Sequence, residues 1–294
     1  MKIKALVIFI TLAAIWGASF ILMRVSAPEF GAMPTAFVRC AIAAITLSLL
    51  AMGLRKPMLR GVQLRWAMCI GVLNSAVPFA LFGYALQILP AGYGSVLNAT
   101  VPFWGLAIGA LFFGEAIAPQ KLMALGVAIV GLSMVLGLGT LPITATVLLA
   151  AGALIAATLL YAISGTISQR KLKGVDSFGQ AWAAMLGASL VLIPLAAIYW
   201  PNAMPSAGAW AAVISLGLVC SAVAYLMFFW LIVNMGLLWG MSVTLLIPVF
   251  GILWGVLFLG ETMTWASGLG AVITLCATAV VLDVVKIKTK LNQN

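Results

Sequence analysis

The sequence predicts an all-α integral membrane protein whose ten transmembrane helices form two inverted five-helix repeats. Three observations predict it. Of 294 residues, 65% are hydrophobic and only 7% are charged, whereas a soluble surface takes about 25% charged residues. The basic residues fall in short clusters between apolar runs, and those runs approach the roughly 20 residues that cross a bilayer core. Finally, a series of residues recurs at one offset of 146 positions.

The spans follow in chain order. Lys2 and Lys4 precede an apolar run at 5–25. It is too long for the core of a signal peptide and reads as the first, uncleaved span. The next are 34–54, 64–89, 93–113 and 119–138. Pro34 and Pro119 suit a first helical turn, where a missing N–H is harmless. The second set is 145–168, 177–199, 208–233, 238–259 and 264–285. Continuous apolar runs lack the alternation of a membrane barrel, so strands are not expected.

Charge gives the orientation. With both termini cytoplasmic, 13 of the 15 basic residues lie inside, and only Arg24 and Arg39 lie outside. The positive-inside rule therefore selects that topology and an even number of spans. A net charge of +10 distributed in this way is a signal to the membrane rather than a nucleic-acid surface. Cys40, Cys69, Cys220 and Cys276 lie in apolar runs without CxxC spacing. They read as buried small hydrophobes, not as a disulfide framework or a metal site.

The repeat is read residue by residue. Ser75–Ala76–Val77 matches Ser221–Ala222–Val223, and Pro102, Gly105, Gly109, Gly114 and Glu115 match Pro248, Gly251, Gly255, Gly260 and Glu261. Five spans separate corresponding points. Five is odd, so the unit at 1–144 and the unit at 145–294 must be inverted relative to each other. Inverted repeats are the plan of many secondary transporters, because two related halves can exchange conformations around one central site.

Trp16–Gly17–Ala18–Ser19–Phe20, Arg39, the Pro102 to Glu115 block and its copy at Pro248 to Glu261 resemble the drug/metabolite transporter superfamily, in particular its ten-helix EamA-type exporters. The resemblance covers essentially the whole chain. It implies a multi-pass protein of the bacterial inner membrane that exports amino acids, aromatic ones among them, or other metabolites and drugs. Tyr161 to Ser164 departs from the Trp-Gly pattern of the first span.

Several residues are candidates for a substrate cavity. Asn98, Pro102, Gly105 and Gly109 share one helix face, as do Thr244, Pro248, Gly251 and Gly255. The four glycines read as helix-packing positions. The two prolines free carbonyls at mid-membrane, which is tolerated only against protein or a wet cavity. Asn98 and Thr244 serve either a cavity or interhelical hydrogen bonds. The other candidates are Trp16 and Ser19 with Phe20; Asn74, Pro78, Phe79 and Tyr84; Tyr161 and Ser164; and Tyr225. Such a cavity is largely apolar with a few hydroxyls and amides. Each aromatic is open to a simpler role in the core or against lipid. Trp200, Trp210 and Trp239 near span ends suit interface anchors.

Charge placement narrows the chemistry. Glu29, Glu115, Asp176, Glu261 and Asp283 all lie at span ends or in loops, so no buried carboxylate is expected to carry protons or hold a permanent cation. Glu115 and Glu261 are expected to serve the N-termini of the fifth and tenth spans. Arg39, on the second turn of the second span, is expected to snorkel to the outer interface, with Glu29 or a substrate carboxylate as the alternative partner.

Without histidine, embedded acid or metal-ligand cluster, enzymatic chemistry has little to work with. No cofactor or metal is expected. The partners expected are a small-molecule substrate and the lipid bilayer, with no nucleic acid and a monomer sufficient. The leading expectation is a secondary transporter of amino acids or similar metabolites. A drug carrier, a sugar-phosphate or nucleotide-sugar carrier and a solute channel are the rivals.

Overall fold

The computed structural model describes residues 2–89, 91–136, 144–259 and 265–281. All regular structure among them is helical. Helices α1 (Lys2–Phe30) and α2 (Ala32–Gly53) are joined by Gly31. Its φ of 81° lies in the left-handed region that favours glycine. Next come α3 (Gly61–Gly71), a π-helical segment (Val72–Ala76) and α4 (Val77–Ala85), which run on as one rod. They are followed by α5 (Ala91–Asn98), α6 (Val101–Phe113) and α7 (Pro119–Leu136).

The second set opens with α8 (Ala145–Lys171) and α9 (Ser177–Ile198). Another interrupted rod consists of α10 (Ala207–Gly217), a π-helical segment (Leu218–Val223) and α11 (Ala224–Met235). Helices α12 (Leu237–Leu259) and α13 (Trp265–Val281) complete the described chain. Among the described residues six helical runs are long and apolar enough to cross a membrane by length and composition, and four shorter apolar helices accompany them. Leu111, Phe112, Ile198 and Phe258 are each more than 70% exposed, as suits side chains facing lipid rather than water.

One expected span differs from its simple reading. The fourth breaks at Ala99–Thr100 into α5 and α6. Pro102 lacks an N–H and its ring crowds the carbonyl of Asn98, so the helix ends and restarts with Pro102 in the first turn. Pro248, at the matching position, is inside an unbroken α12. Thr100 contributes to the difference, because its hydroxyl donates to the Leu97 carbonyl at 2.7 Å and such back-bonding bends helices. The matching position is Leu246, which has no hydroxyl.

The main core lies where α1, α2, α3, α9 and α11 meet, around Phe9, Leu12, Leu47, Ile70, Met185 and Phe229. Small residues let these rods approach. A Cβ on Gly71 would overlap the Ala184 carbonyl of α9, and one on Gly217 would lie 2.6 Å from Ile42 Cβ of α2. Gly71 and Gly217 are 146 positions apart. Helices α7 and α13 pair closely at Gly131, where a Cβ would stand 2.6 Å from Thr274 Oγ1.

Loop ends are capped by side chains. Asp176 accepts from the Phe178 and Gly179 amides at the start of α9. Glu29 accepts from the Ser206 amide at 2.6 Å and the Ser206 hydroxyl at 2.8 Å, tying the end of α1 to the start of α10. Glu115 was expected to serve the N-terminus of the next helix. It pairs instead with Arg170 at 3.0 Å, with both side chains substantially exposed. Glu261 and Asp283 lie outside the described residues.

Candidate functional site

Between the rods is a partly open cavity. Helix α1 supplies Trp16, Ser19, Phe20 and Met23, and α2 supplies Arg39. Asn74 comes from the first π segment, and Phe79 and Phe82 from α4. Asn98, Val101 and Tyr161 come from α5, α6 and α8. Tyr225 and Phe228 come from α11, and Gly240, Met241, Thr244 and Ile247 from α12. No described residue of α7, α9 or α13 is part of this lining.

The walls are mostly rings. Phe79 meets Tyr225 edge-on at 6.3 Å, and Phe82 stacks on Tyr161 at 6.1 Å. Trp16 packs against Tyr225 and Phe228. Its indole N–H donates to the Cys220 carbonyl at 3.2 Å, and Ser19 donates back to the Trp16 carbonyl at 2.6 Å.

The two π segments give the cavity its polar centre. A wide turn takes a carbonyl off the regular helical ladder. In the first segment the Asn74 carbonyl accepts from the Tyr225 hydroxyl at 2.7 Å, and that hydroxyl accepts from Ser75 at 2.9 Å. In the second, Arg39 donates from Nε to Ser221 Oγ at 2.6 Å and from Nη2 to the Cys220 carbonyl at 3.1 Å. Asn74–Ser75 and Cys220–Ser221 are 146 positions apart. The same device therefore occurs twice and receives a tyrosine in one case and an arginine in the other.

Arg39 corrects the snorkelling expectation. It starts about 10 Å along α2 at the usual helical rise, and its side chain turns inward, with 3% of the residue exposed. The guanidinium carbon lies 3.8 Å from the centre of the Phe79 ring, and Nη1 lies 3.7 Å from Met23 Sδ. The inward turn is possible because a hydroxyl, a freed carbonyl and an aromatic face await it. Its charge is not cancelled. Glu29 is engaged by Ser206 and Glu115 by Arg170, and among the described residues no carboxylate forms an ion pair with Arg39. An embedded arginine costs about 3 kcal/mol on insertion scales, so it marks a place with a task.

Two buried amides add to this. Asn74 Nδ2 and Asn98 Oδ1 have no hydrogen-bond partner in the protein, although both residues line the cavity. The hydroxyl of Thr244, by contrast, is engaged by the Met241 carbonyl at 2.8 Å.

The EamA-like transporter family matches residues 3–137 and, a second time, residues 148–283. This chain belongs to the EamA-like transporter family. Its sequence is 25% identical over 280 residues to a protein described as the uncharacterized transporter YoaV of Bacillus subtilis, covering 93% of this chain and 95% of that one. It is 23% identical over 261 residues to a probable terminal-alkyne amino-acid exporter of Streptantibioticus cattleyicolor, covering 88% and 86% of the two chains. A crystal structure with 16% identity shares the fold at a TM-score of 0.78, covering 94% of this chain and 96% of that one.

In this EamA-like transporter, Trp16, Ser19, Asn74, Phe79, Asn98, Tyr161, Tyr225 and Thr244 come together at the cavity. Pro78, Pro102, Ser164 and Pro248 are buried beside it but outside the lining. Ser164 donates to the Tyr161 carbonyl at 2.9 Å. Tyr84 needs correcting, since it is 42% exposed and away from the cavity. It sits five residues after Phe79, which turns it off the inward face.

Among the glycines, Gly105 is packed so that a Cβ would strike Met241 of α12. Gly109 meets the Glu115 side chain; a Cβ on Gly251 would meet nothing within 4 Å, although the Gly251 backbone nitrogen lies 3.2 Å from where a Cβ on Gly17 of α1 would stand. The packing around Gly255 lies outside the described residues. Sequence reasoning placed a substrate-facing Arg39 behind snorkelling, and it missed Met23, Phe82, Phe228 and Met241. The 146-residue offset could have found one pair, since it relates Phe82 to Phe228.

Proposed function

We propose that this chain is a secondary transporter that exports small metabolites, foremost amino acids, by alternating access through the central cavity. Family membership supports transport. One relative is named as an amino-acid exporter, which supports the substrate class. The observation that carries the reading is the cavity itself. Aromatic walls around a few polar groups suit a compact amphiphile, and the lining is drawn from both matched stretches of the chain.

We further read the chain as two inverted five-helix repeats, 1–144 and 145–294, giving ten spans in the bacterial inner membrane with both termini cytoplasmic. The constant offset and the biased distribution of basic residues support this. Cys69 and Cys276, expected to be buried, are exposed on the helices; in a background with both replaced by Ser, an impermeant maleimide applied to intact cells should label Asn202→Cys and spare Lys173→Cys. The reverse result would sink the orientation.

Counterflow in sealed proteoliposomes tests transport. Vesicles loaded with one amino acid should accumulate the labelled form transiently against its gradient. A pore equilibrates label without the overshoot, and no uptake of any amino acid in a full panel would refute the substrate class.

A further inference from the structure

We propose that Arg39 and Asn74 form a carboxylate-binding subsite, with Asn98 receiving an amino group, so that the cavity selects a free α-amino acid with an apolar side chain. The inference deepens the transport reading and rests on it for what is carried.

The argument starts from unspent hydrogen-bonding capacity. A guanidinium has five N–H donors. Three are directed to Ser221 Oγ, the Cys220 carbonyl and Met23 Sδ. All three acceptors are neutral. They hold the guanidinium plane, and Phe79 supports its face at 3.8 Å, but the positive charge has no anionic counterpart among the described residues. One N–H remains on each terminal nitrogen, and a carboxylate is the strongest acceptor for such donors.

The two asparagines extend the pattern. Asn74 is 3% exposed and Asn98 5% exposed. Asn74 Nδ2 and Asn98 Oδ1 are buried without a partner in two residues that line the same cavity, and the last side-chain torsion of an asparagine is broad enough to turn either amide atom toward a ligand. A cation with a free donor in the same lining suits a carboxylate. A free acceptor elsewhere in the lining suits an ammonium group. Phe82, Tyr161 and Phe228 leave an apolar wall for the side chain. Among the described residues Arg39 is the only cation in the lining, so a doubly charged phosphate would be poorly matched.

A merely structural Arg39 predicts no preference between acid and amide, and this is what the test reads. Purified protein in detergent is titrated calorimetrically with the twenty L-amino acids and with the carboxamides of those that bind. Carboxamides should bind at least about tenfold more weakly than their acids. Arg39→Gln should erase the difference, Arg39→Lys should restore part of it, and Asn74→Ala should reduce it.

Equal binding of acid and amide, a preference that persists in Arg39→Gln, or no binding by any amino acid overturns the subsite. Should Arg39→Gln fail to fold, the wild-type pair and Asn74→Ala decide. Counterflow separates the two readings. A carboxylate preference without counterflow refutes transport and supports the subsite, whereas counterflow that carries acid and amide alike refutes the subsite and supports transport.

Discussion

Arg39 Nε lies 2.6 Å from Ser221 Oγ, a contact between residues 182 positions apart. Its counterpart is the bond from Ser75 to Tyr225, 2.9 Å long and also between distant parts of the chain. In each case a π-helical turn presents a serine hydroxyl and the preceding carbonyl to a side chain from another helix or from beyond its own repeat. The tyrosine version is electrically neutral and closed. The arginine version keeps a charge and two free N–H groups. Two matching devices thus become unequal through the one side chain that fills each, and the cavity acquires a positive end.

The neutral version is expected to act as a structural tie. Tyr225→Phe removes the hydroxyl that links Ser75 to the Asn74 carbonyl. A stranded buried acceptor costs about 1–3 kcal/mol, while pairwise coupling inside membranes averages about 0.6 kcal/mol. Thermal unfolding in detergent should show Tyr225→Phe destabilised by roughly 1 kcal/mol, with a coupling to Ser75→Ala of about 0.6 kcal/mol. A strictly additive double mutant would remove the tie.

Glycines at matching offsets should behave according to their surroundings rather than their sequence pattern. Gly71→Ala forces a methyl into the Ala184 backbone, which cannot swing aside. Overpacking of this kind costs about 1–3 kcal/mol. Gly251→Ala enters open space and should gain up to about 1 kcal/mol from helix propensity. Folded yield and melting temperature of the two variants should therefore move in opposite directions.

Much of this was legible in the sequence, for definite physical reasons. Asn98, Thr244, Asn74 and Ser19 are polar residues inside long apolar runs, and the membrane forces such groups toward protein or a cavity. Arg39 was not legible in the same way. An arginine on a second turn can reach the interface or turn inward, and what decides is a hydroxyl and a carbonyl about 180 residues later. The π segments carry no internal Gly or Pro to announce them. Pro102 and Pro248 look alike in sequence, yet only the helix beside Thr100 breaks. Those outcomes depend on neighbours in space.

Among the described residues no acidic side chain appears in the cavity lining. Glu29 is held by Ser206, Asp176 caps α9, and Glu115 pairs with Arg170. The last pair is about half exposed, so it contributes at most about 1 kcal/mol. Glu29→Gln, Glu115→Gln and Asp176→Asn should each keep the wild-type response of flux to a pH gradient. A variant that folds and binds substrate but loses only that response would show a proton-carrying carboxylate after all.

Asn98 and Thr244 occupy matching positions and both line the cavity, but they should respond differently to truncation. The Thr244 hydroxyl already donates to the Met241 carbonyl at 2.8 Å, so Thr244→Val removes a group that is engaged within its own helix. Its effect on substrate KM should stay within about threefold, under 1 kcal/mol at about 1.4 kcal/mol per factor of ten. Asn98 Oδ1 is buried without a partner. Bound to an ammonium group it would contribute about 1.5–3 kcal/mol as a charged hydrogen bond, so Asn98→Ala should raise KM by roughly 10- to 100-fold. In the empty protein the same change removes an unsatisfied acceptor, so stability should hold or rise. The combination of weaker binding and undiminished stability separates a substrate contact from a structural hydrogen bond, whose loss would lower both. Equal KM effects at the two positions, or a destabilised Asn98→Ala, would return Asn98 to a packing role.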